Sequence, residues 1–449
     1  MSQAELRSNA PLIHHWMPFT ANRQFLDAPR MIARAEGVHY WNDAGEQLLD
    51  GISGLYTTPA GHGRREIREA VNKQLAELDF APPFQFGTSG SFRLAHALTR
   101  ILPAALNRVF FTGSGSEAVE TALKIAINYH RVRGQGQRQR IVGRARGYHG
   151  VNFAGWSVGG MVKNREAFGL GLPGVAHMRH THIPENRHVI GPGPHGGVDL
   201  ADDLQRLIDL HGADTIAACI VEPIAGSTGI LVPPVGYLQR LRSLCDQHGI
   251  LLIFDEVICG FGRTSHEGAA HPFAAQAFGV TPDILTMAKA ITNGNIPMAA
   301  VAVREEIQQT ILDVASPNAI EFFHGYTYSA HPVACAAALA TLQLYHDEDL
   351  FTRAAALAPG FLARIADLAH LPCVTDTRGY GLLGAADLAS APTPGARGFA
   401  VMRACFEAGL VVRVTGDTII LSPMFITTDD QLDAMFTILR RVLSTIGSG

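Results

Sequence analysis

Ile250-Leu-Leu-Ile-Phe-Asp255-Glu256 opens the stretch that decides the fold, and Asp283-Ile-Leu-Thr-Met-Ala-Lys289-Ala-Ile-Thr-Asn-Gly294 closes it. The first is a short apolar run, as a strand buried on both faces requires, and it ends in two acids. The second is another apolar run, with one lysine just past its end. An ion in a core without a partner is costly, so Asp255 and Lys289 each need a reason to be there. Their spacing, one strand apart, suits the two ends of a bound organic cofactor.

Outward from this stretch the chain alternates helix and strand. Arg108-Val-Phe-Phe-Thr112, Arg140-Ile-Val-Gly143, Ile216 to Val221, Ile284 to Ala288 and Ala299 to Val303 read as further buried strands. The spacing predicts helices over 92–102, 117–131, 201–211 and 236–248. Short apolar strands separated by helices build a mostly parallel sheet covered on both faces. Residues 159–198, rich in Gly, Pro and His, read as one long loop. Before this region, Val38–Trp41 and Gln47–Asp50 form a small meander behind an irregular arm, and a helix carries Ile67, Val71, Leu75 and Leu78. After Pro332 an Ala-rich helix runs to about 346. Helices at 351–369 and 396–409 then alternate with strands at 378–387, 410–415 and 418–422, and a capped helix runs from Thr428 to about Ile446.

Composition narrows the function. The 449 residues are 47% hydrophobic and 17% charged, enough for a large core and unlike a disordered chain. A net charge of -4 without a basic block argues against nucleic-acid binding. The apolar runs fall short of the ~20 residues of a membrane span, and the opening residues, with Glu5 and Arg7, lack an apolar leader. The cytoplasm is the expected location. Cys219, Cys245, Cys259, Cys335, Cys373 and Cys405 show no paired spacing, so free buried thiols are expected. Lysines are only Lys73, Lys124, Lys163 and Lys289 among 36 basic residues.

Several residues carry chemistry. Gly113-Ser-Gly-Ser116 follows a strand and opens a helix, which suits either a phosphate on the helix N-terminus or a serine-capped turn of small residues. Lys289 reads either as a snorkelling surface lysine or as a desolvated amine able to attack a carbonyl. Asp255 reads either as a helix cap or as the acid that keeps a heterocyclic nitrogen protonated, as pyridoxal phosphate chemistry requires. Tyr148, in Gly147-Tyr-His-Gly150, is core packing or a ring stacked on a planar ligand. Arg413 interrupts an apolar strand and calls for a carboxylate. His177, His180 and His182 lack a neighbouring acid or cysteine, which argues against a metal.

Taken together these pieces resemble the class III aminotransferases of pyridoxal-phosphate fold type I, and within them the omega-amino acid (beta-alanine):pyruvate transaminases. The similarity rests on His15-Trp-Met-Pro-Phe-Thr20, Phe111 to Glu117, Gly143 to Gly150, Val221-Glu-Pro223, Phe254 to Val257, Met287 to Gly294 and His324 to Pro332. It implies a seven-stranded, mostly parallel sheet in a large domain over 61–330. The segments 1–60 and 331–449 then form a smaller α+β domain. It also implies that Lys289 anchors pyridoxal 5'-phosphate and later moves the proton between substrate Cα and cofactor. Asp255 would pair with the ring nitrogen, Tyr148 and Val257 would cover its faces, and His149 and Glu222 would support it. Ser114, Gly115 and Ser116 would hold the phosphate, with Thr327 from a second subunit of a homodimer or tetramer. Arg413 would bind a substrate carboxylate, and Tyr56, Phe19, Phe84 and Phe86 would line the substrate pocket.

Two positions depart from the family pattern. Ser227 stands where ornithine and 4-aminobutyrate members carry a glutamate that pairs with the arginine, which points away from their substrates. Tyr56 replaces a tryptophan and adds a hydroxyl to the pocket wall. The expected activity is transfer of an amino group from an omega-amino acid or primary amine to pyruvate. The same residues also suit 4-aminobutyrate, diamine or taurine transamination, decarboxylation and aminomutation. A nicotinamide-dependent dehydrogenase, using Gly113–Ser116 as its phosphate turn, leaves Lys289 and Asp255 without roles.

Overall fold

A computed structural model describes residues 12–446; Glu5 and Arg7 lie outside the described residues. The N-terminal part holds β1 (Ile32–Glu36), β2 (His39–Asn42) and β3 (Gln47–Asp50). The large sheet uses β4 (Leu106–Thr112), β5 (Arg140–Arg144), β6 (Val175–Met178), β7 (Ile216–Val221), β8 (Leu251–Asp255), β9 (Ile284–Met287) and β10 (Ala299–Arg304). The C-terminal part adds β11 (Val374–Tyr380), β12 (Leu383–Leu388), β13 (Leu410–Val411), β14 (Arg413–Thr415) and β15 (Thr418–Leu421).

The central sheet runs β4-β10-β9-β8-β7-β5-β6, and only β10 is antiparallel to its neighbours. Every residue of β7, β8 and β9 is buried, because helices cover both faces. Alternation decides which face each side chain meets. Leu251 and Ile253 join Ala118, Ala122, Ile125 and Ala126 of the helix Gly115–Val132 on one side. Leu252 and Phe254 join Leu238, Leu241 and Leu244 of the helix Tyr237–His248 on the other. That second helix stops at Gly249, whose left-handed φ of 63° lets its N–H reach back to the last carbonyls.

The two ends of the chain meet, as β13 pairs in parallel with β3. The Ala-rich helix Pro332–Asp347 starts with proline and a cap from His331 to the Val333 N–H, and its Ala334, Ala337 and Ala338 are buried.

Four readings of the sequence change. The long loop over 159–198 contains the helix Val162–Phe168 and the edge strand β6, which is only four residues and flanked by Pro173-Gly174. The strand expected over 378–387 is a hairpin, β11 and β12, turned at Gly381. Gly381 has φ 57°, and a Cβ there would lie 2.3 Å from the Arg263 carbonyl oxygen. The strand expected over 410–415 divides at Val412, giving β13 to the N-terminal sheet and β14 to β15. The N-terminal meander also gains β1, which pairs with β2.

The histidine run gains acids from far away in sequence. His182 Nε2 lies 2.9 Å from Asp376, and Asp387 lies beside it. The cation between these carboxylates is Arg378, bonded to Asp376 at 2.6 Å and to Asp387 at 2.8 and 2.9 Å. Arg378 also donates to the Gly229 carbonyl, which ties β11 to the loop after β7.

All six cysteines are buried and unpaired. Folded protein should therefore react with none of them on the timescale at which a thiol reagent labels all six in denaturant, as read by mass spectrometry.

Candidate active site

Strands β4, β5, β7, β8 and β9 point the same way, and a cavity of about 300 Å³ lies beyond their C-terminal ends. This is the expected ligand crevice of an open α/β sheet. Each strand delivers one feature to it: Gly113–Ser116 after β4, Tyr148 and His149 after β5, Glu222 after β7, Asp255 ending β8, and Lys289 after β9.

Asp255 is fixed by three donors. His149 Nδ1–H lies 2.8 Å from one carboxylate oxygen, while Thr286 Oγ1 and the Val257 N–H reach the other at 3.1 and 3.2 Å. With Nδ1 committed, His149 Nε2 is buried and has no partner among the described residues.

Lys289 begins a short 3-10 turn, with an uncommon left-handed φ of 50° for a residue with a side chain. Its amine opens onto the cavity, yet protein surrounds it otherwise. That desolvation lowers its pKa to about 8, against the pull of Asp255 and with help from Arg413. Its neutral form is thus far more accessible near neutrality than that of an ordinary lysine, which makes it a competent nucleophile and base. Glu222 is also buried, which pushes its pKa up to about 7 despite nearby His149. It accepts from the N–H groups of Tyr148 and Gly226 at 2.9 and 3.0 Å, so it braces the Tyr148 loop.

The turn at Gly113–Ser116 caps an 18-residue helix. Ser114 Oγ accepts from the Glu117 N–H at 3.2 Å, and the Glu117 carboxylate accepts from the Gly113 N–H at 2.7 Å. Ser116 Oγ accepts from the Val151 N–H. Both hydroxyls keep their own protons free to donate to an anion at the helix dipole's positive end. Gly150, at φ 95°, must be glycine, since a Cβ would sit 2.5 Å from Ser116 Oγ.

Other expected residues fall in three groups. Tyr148, His149, Glu222 and Val257 line the same cavity as Lys289. Arg413, on β14, is half-buried, and its charge lowers the pKa of Tyr56, Tyr148 and Lys289. Its Nε is buried and unpartnered, and none of the described carboxylates forms an ion pair with it. Tyr56 is fully buried behind the cavity wall rather than lining it, and its hydroxyl is unpartnered as well. Phe19, Phe84, Phe86 and Thr327 are exposed and lie outside the cavity of one subunit. The structure adds wall residues that sequence reasoning missed: Thr57, Ile258, Thr292 and Ile296 to Met298. Of these, Thr292 lies within the Asp283–Gly294 stretch, a signal that could have flagged it.

The family model "Aminotransferase class-III" matches residues 20–443. This chain belongs to the class III aminotransferases. It is 52% identical to an omega-aminotransferase of Caulobacter vibrioides, over 96% of this chain and 97% of the relative. It is 49% identical to a beta-alanine–pyruvate aminotransferase of Pseudomonas aeruginosa, over 96% of each. A solved (S)-enantioselective omega-transaminase from Thermomicrobium roseum superposes with a TM-score of 0.91 at 34% identity, covering 99% of both chains.

As a class III aminotransferase the protein is a pyridoxal-phosphate enzyme. The residues present fit that group. A helix N-terminus with two free hydroxyl donors suits the phosphate, and the three-donor Asp255 suits a protonated ring nitrogen. The amine of Lys289, whose hold on its proton is weakened by burial, suits the aldehyde, and His149 Nε2 is left free for a ligand in the cavity. A nicotinamide site could use the Gly113–Ser116 turn but would leave Lys289 and Asp255 without roles.

The lowered pKa of Lys289 has a measurable cost. In cofactor-free protein at pH 7 the lysine is charged in both states, and only the folded state buries the charge. The penalty is full below about 8, shrinks between 8 and 10.5, and is gone above 10.5. Lys289→Met should therefore stabilise cofactor-free protein at pH 7 by about 3 kcal/mol and at pH 10 by under about 1 kcal/mol. Urea unfolding of both proteins at the two pH values reads this difference.

Proposed function

We propose that the enzyme moves an amino group from an omega-amino acid such as beta-alanine, or a primary amine, to pyruvate, releasing alanine, by a ping-pong mechanism. The single observation that carries the substrate reading is Arg413, a half-buried cation near enough to Lys289 to lower its pKa, with no ion pair to a carboxylate among the described residues. Ser227, at the position where a gating glutamate would stand, is buried and uncharged. A substrate carboxylate is then the natural counter-ion. The names of the Caulobacter and Pseudomonas relatives support the same reading.

When bound, pyridoxal phosphate supplies an electron-withdrawing ring and the carbon that carries the amino group between half-reactions. Asp255, itself held by His149 and Thr286, would keep a proton on the ring nitrogen. Lys289 Nζ would take the proton from the substrate carbon and return it, a task its lowered pKa allows. Tyr148 and Val257 would cover the ring, and Ser114, Gly115 and Ser116 would bind the phosphate. Arg413 orients the carboxylate of the omega-amino acid and, in the second half-reaction, that of pyruvate.

We infer a homodimer as the working unit. Thr327, Phe84 and Phe86 are exposed beside Phe323 (91% exposed) and Tyr328, an apolar surface of the kind that marks an interface. A second copy would bring Thr327 to the phosphate and the phenylalanines, with Phe19, to the substrate. We also propose a large domain over 61–330 and a smaller domain from 1–60 and 331–449, a reading that the β3–β13 pairing supports. Six unpaired thiols favour a reducing compartment, the cytoplasm.

Purified enzyme with beta-alanine and pyruvate should form alanine in step with pyruvate loss, whereas the co-product, a β-oxo acid, can lose carbon dioxide on its own. Lys289→Ala should abolish turnover and the visible absorbance of the lysine-linked cofactor. An active Lys289→Ala protein, or carbon dioxide in place of alanine, sinks the reading.

A further inference from the structure

The loop from Asp50 to His62 is closed into a ring by its own first and last side chains. Asp50 is buried at the end of β3, and one carboxylate oxygen accepts from the Ile52 N–H at 3.0 Å. The other accepts from the Gly54 N–H at 2.5 Å and lies 3.0 Å from His62 Nε2. His62 is held against the Tyr40 ring, with centroids 4.5 Å apart. Inside the ring the backbone is left-handed at Ser53 (φ 49°), Gly54 (φ 68°) and Tyr56 (φ 63°). Two of these carry side chains that disfavour that region, so the surrounding bonds must impose it.

The ring is bolted at both sides. Its early residues join the strands next to Arg413: the Gly51 N–H donates to the Val411 carbonyl, the Ser422 N–H donates to the Gly51 carbonyl, and Ser53 Oγ donates to the Ser422 carbonyl. Its late residues join the turn after Lys289. Asn293 Oδ1 accepts from the Ala60 N–H at 3.0 Å, and Asn293 Nδ2 donates to the Gly61 carbonyl at 2.8 Å. Gly294 abuts Thr57 and Thr58 so closely that a Cβ would lie 3.0 to 3.1 Å from them. The loop therefore spans the carrier of Arg413 and the carrier of Lys289, and presents Thr57 to the cavity between them.

We propose that Asp50 is a positioning residue for substrate choice. By clasping His62 it fixes the span between Lys289 and Arg413, and with it the length of the carboxylate-bearing amine that reaches both. The inference rests on Arg413 as the carboxylate grip, and it concerns a residue that touches neither cofactor nor substrate. Asn at position 50 would keep the size of the side chain but turn an amide donor toward the backbone N–H groups or His62, which loosens the ring.

The test follows the donor half-reaction of the holoenzyme with beta-alanine, 4-aminobutyrate and the carboxylate-free 1-phenylethylamine. Asp50→Asn should lower the second-order rate constant for the preferred amino acid by about 10- to 100-fold while 1-phenylethylamine stays within about 3-fold, the scale on which misplacement of one group acts. The ratio between the two amino acids should also flatten. Equal losses for all three donors would reduce Asp50 to a structural residue and overturn the proposal, as would an unchanged ratio. Should Asp50→Asn fail to accumulate as folded protein, His62→Leu, which opens the clasp alone, is read by the same criteria. Arg413→Ala separates the two levels. If it leaves the carboxylate preference intact, the grip itself is wrong and the proposal falls with it. If it erases the preference and the Asp50 variant does not shift it, only the role of the loop falls.

Discussion

Burying an amine beside a carboxylate is the constraint that organises this enzyme. Lys289 loses solvent and so loses affinity for its proton, while Asp255 pulls in the opposite direction and Arg413 tips the balance back. None of the three can be moved far without changing the others, because in a medium of low polarity their fields are barely screened. The parallel sheet is what makes such crowding possible. It brings five strand ends to one edge, and each end can carry a polar group while the strand behind it stays fully apolar. The helices on both faces supply the burial that holds the ends in register.

Supporting groups around this centre are held more tightly than the reacting ones. Asp255 has three donors, Glu222 two backbone N–H groups, and Glu256 next to it caps Ala274 and Ala275. Arg413 and His149, by contrast, keep buried nitrogens unpaired. Unpaired polar atoms weaken the fold, typically by 1–3 kcal/mol each, and natural proteins tolerate that where a ligand completes the bonding. Left-handed backbone at Tyr56 and Lys289 belongs to the same class of tolerated strain.

Much of this was legible in the sequence, for reasons particular to each element. Apolar runs such as Ile250–Phe254 and Ile216–Val221 leave no other placement than a covered sheet, and a charge at the end of such a run betrays a site. The short edge strand β6 has no such pattern, since Val175–Met178 is three half-buried residues and a buried Met178 next to turn formers. The hairpin at Gly381 and the split at Val412 depend on contacts with Arg263 and with β3, which lie more than a hundred residues away. The Arg378 carboxylate pairings reach back to a histidine 196 residues earlier, beyond any local signal. Tyr56 was placed on the pocket wall by resemblance, whereas the structure buries it fully and leaves it out of the cavity lining. Asp50 reads as an ordinary strand-ending acid until the ring it closes is seen.

Only four amines of side chains exist in this chain, and they divide cleanly. Lys289 is enclosed at the cavity, whereas Lys73, Lys124 and Lys163 are exposed. Amine-directed chemistry on a solid support would therefore grip the enzyme at very few side chains, none of which lines the cavity. A protein rich in lysine attaches in many orientations and loses activity in some of them. Here the arginine-rich surface stays charged and unreactive toward such reagents, so attachment can be nearly uniform, and adding one lysine at a chosen site would set the direction in which every molecule faces.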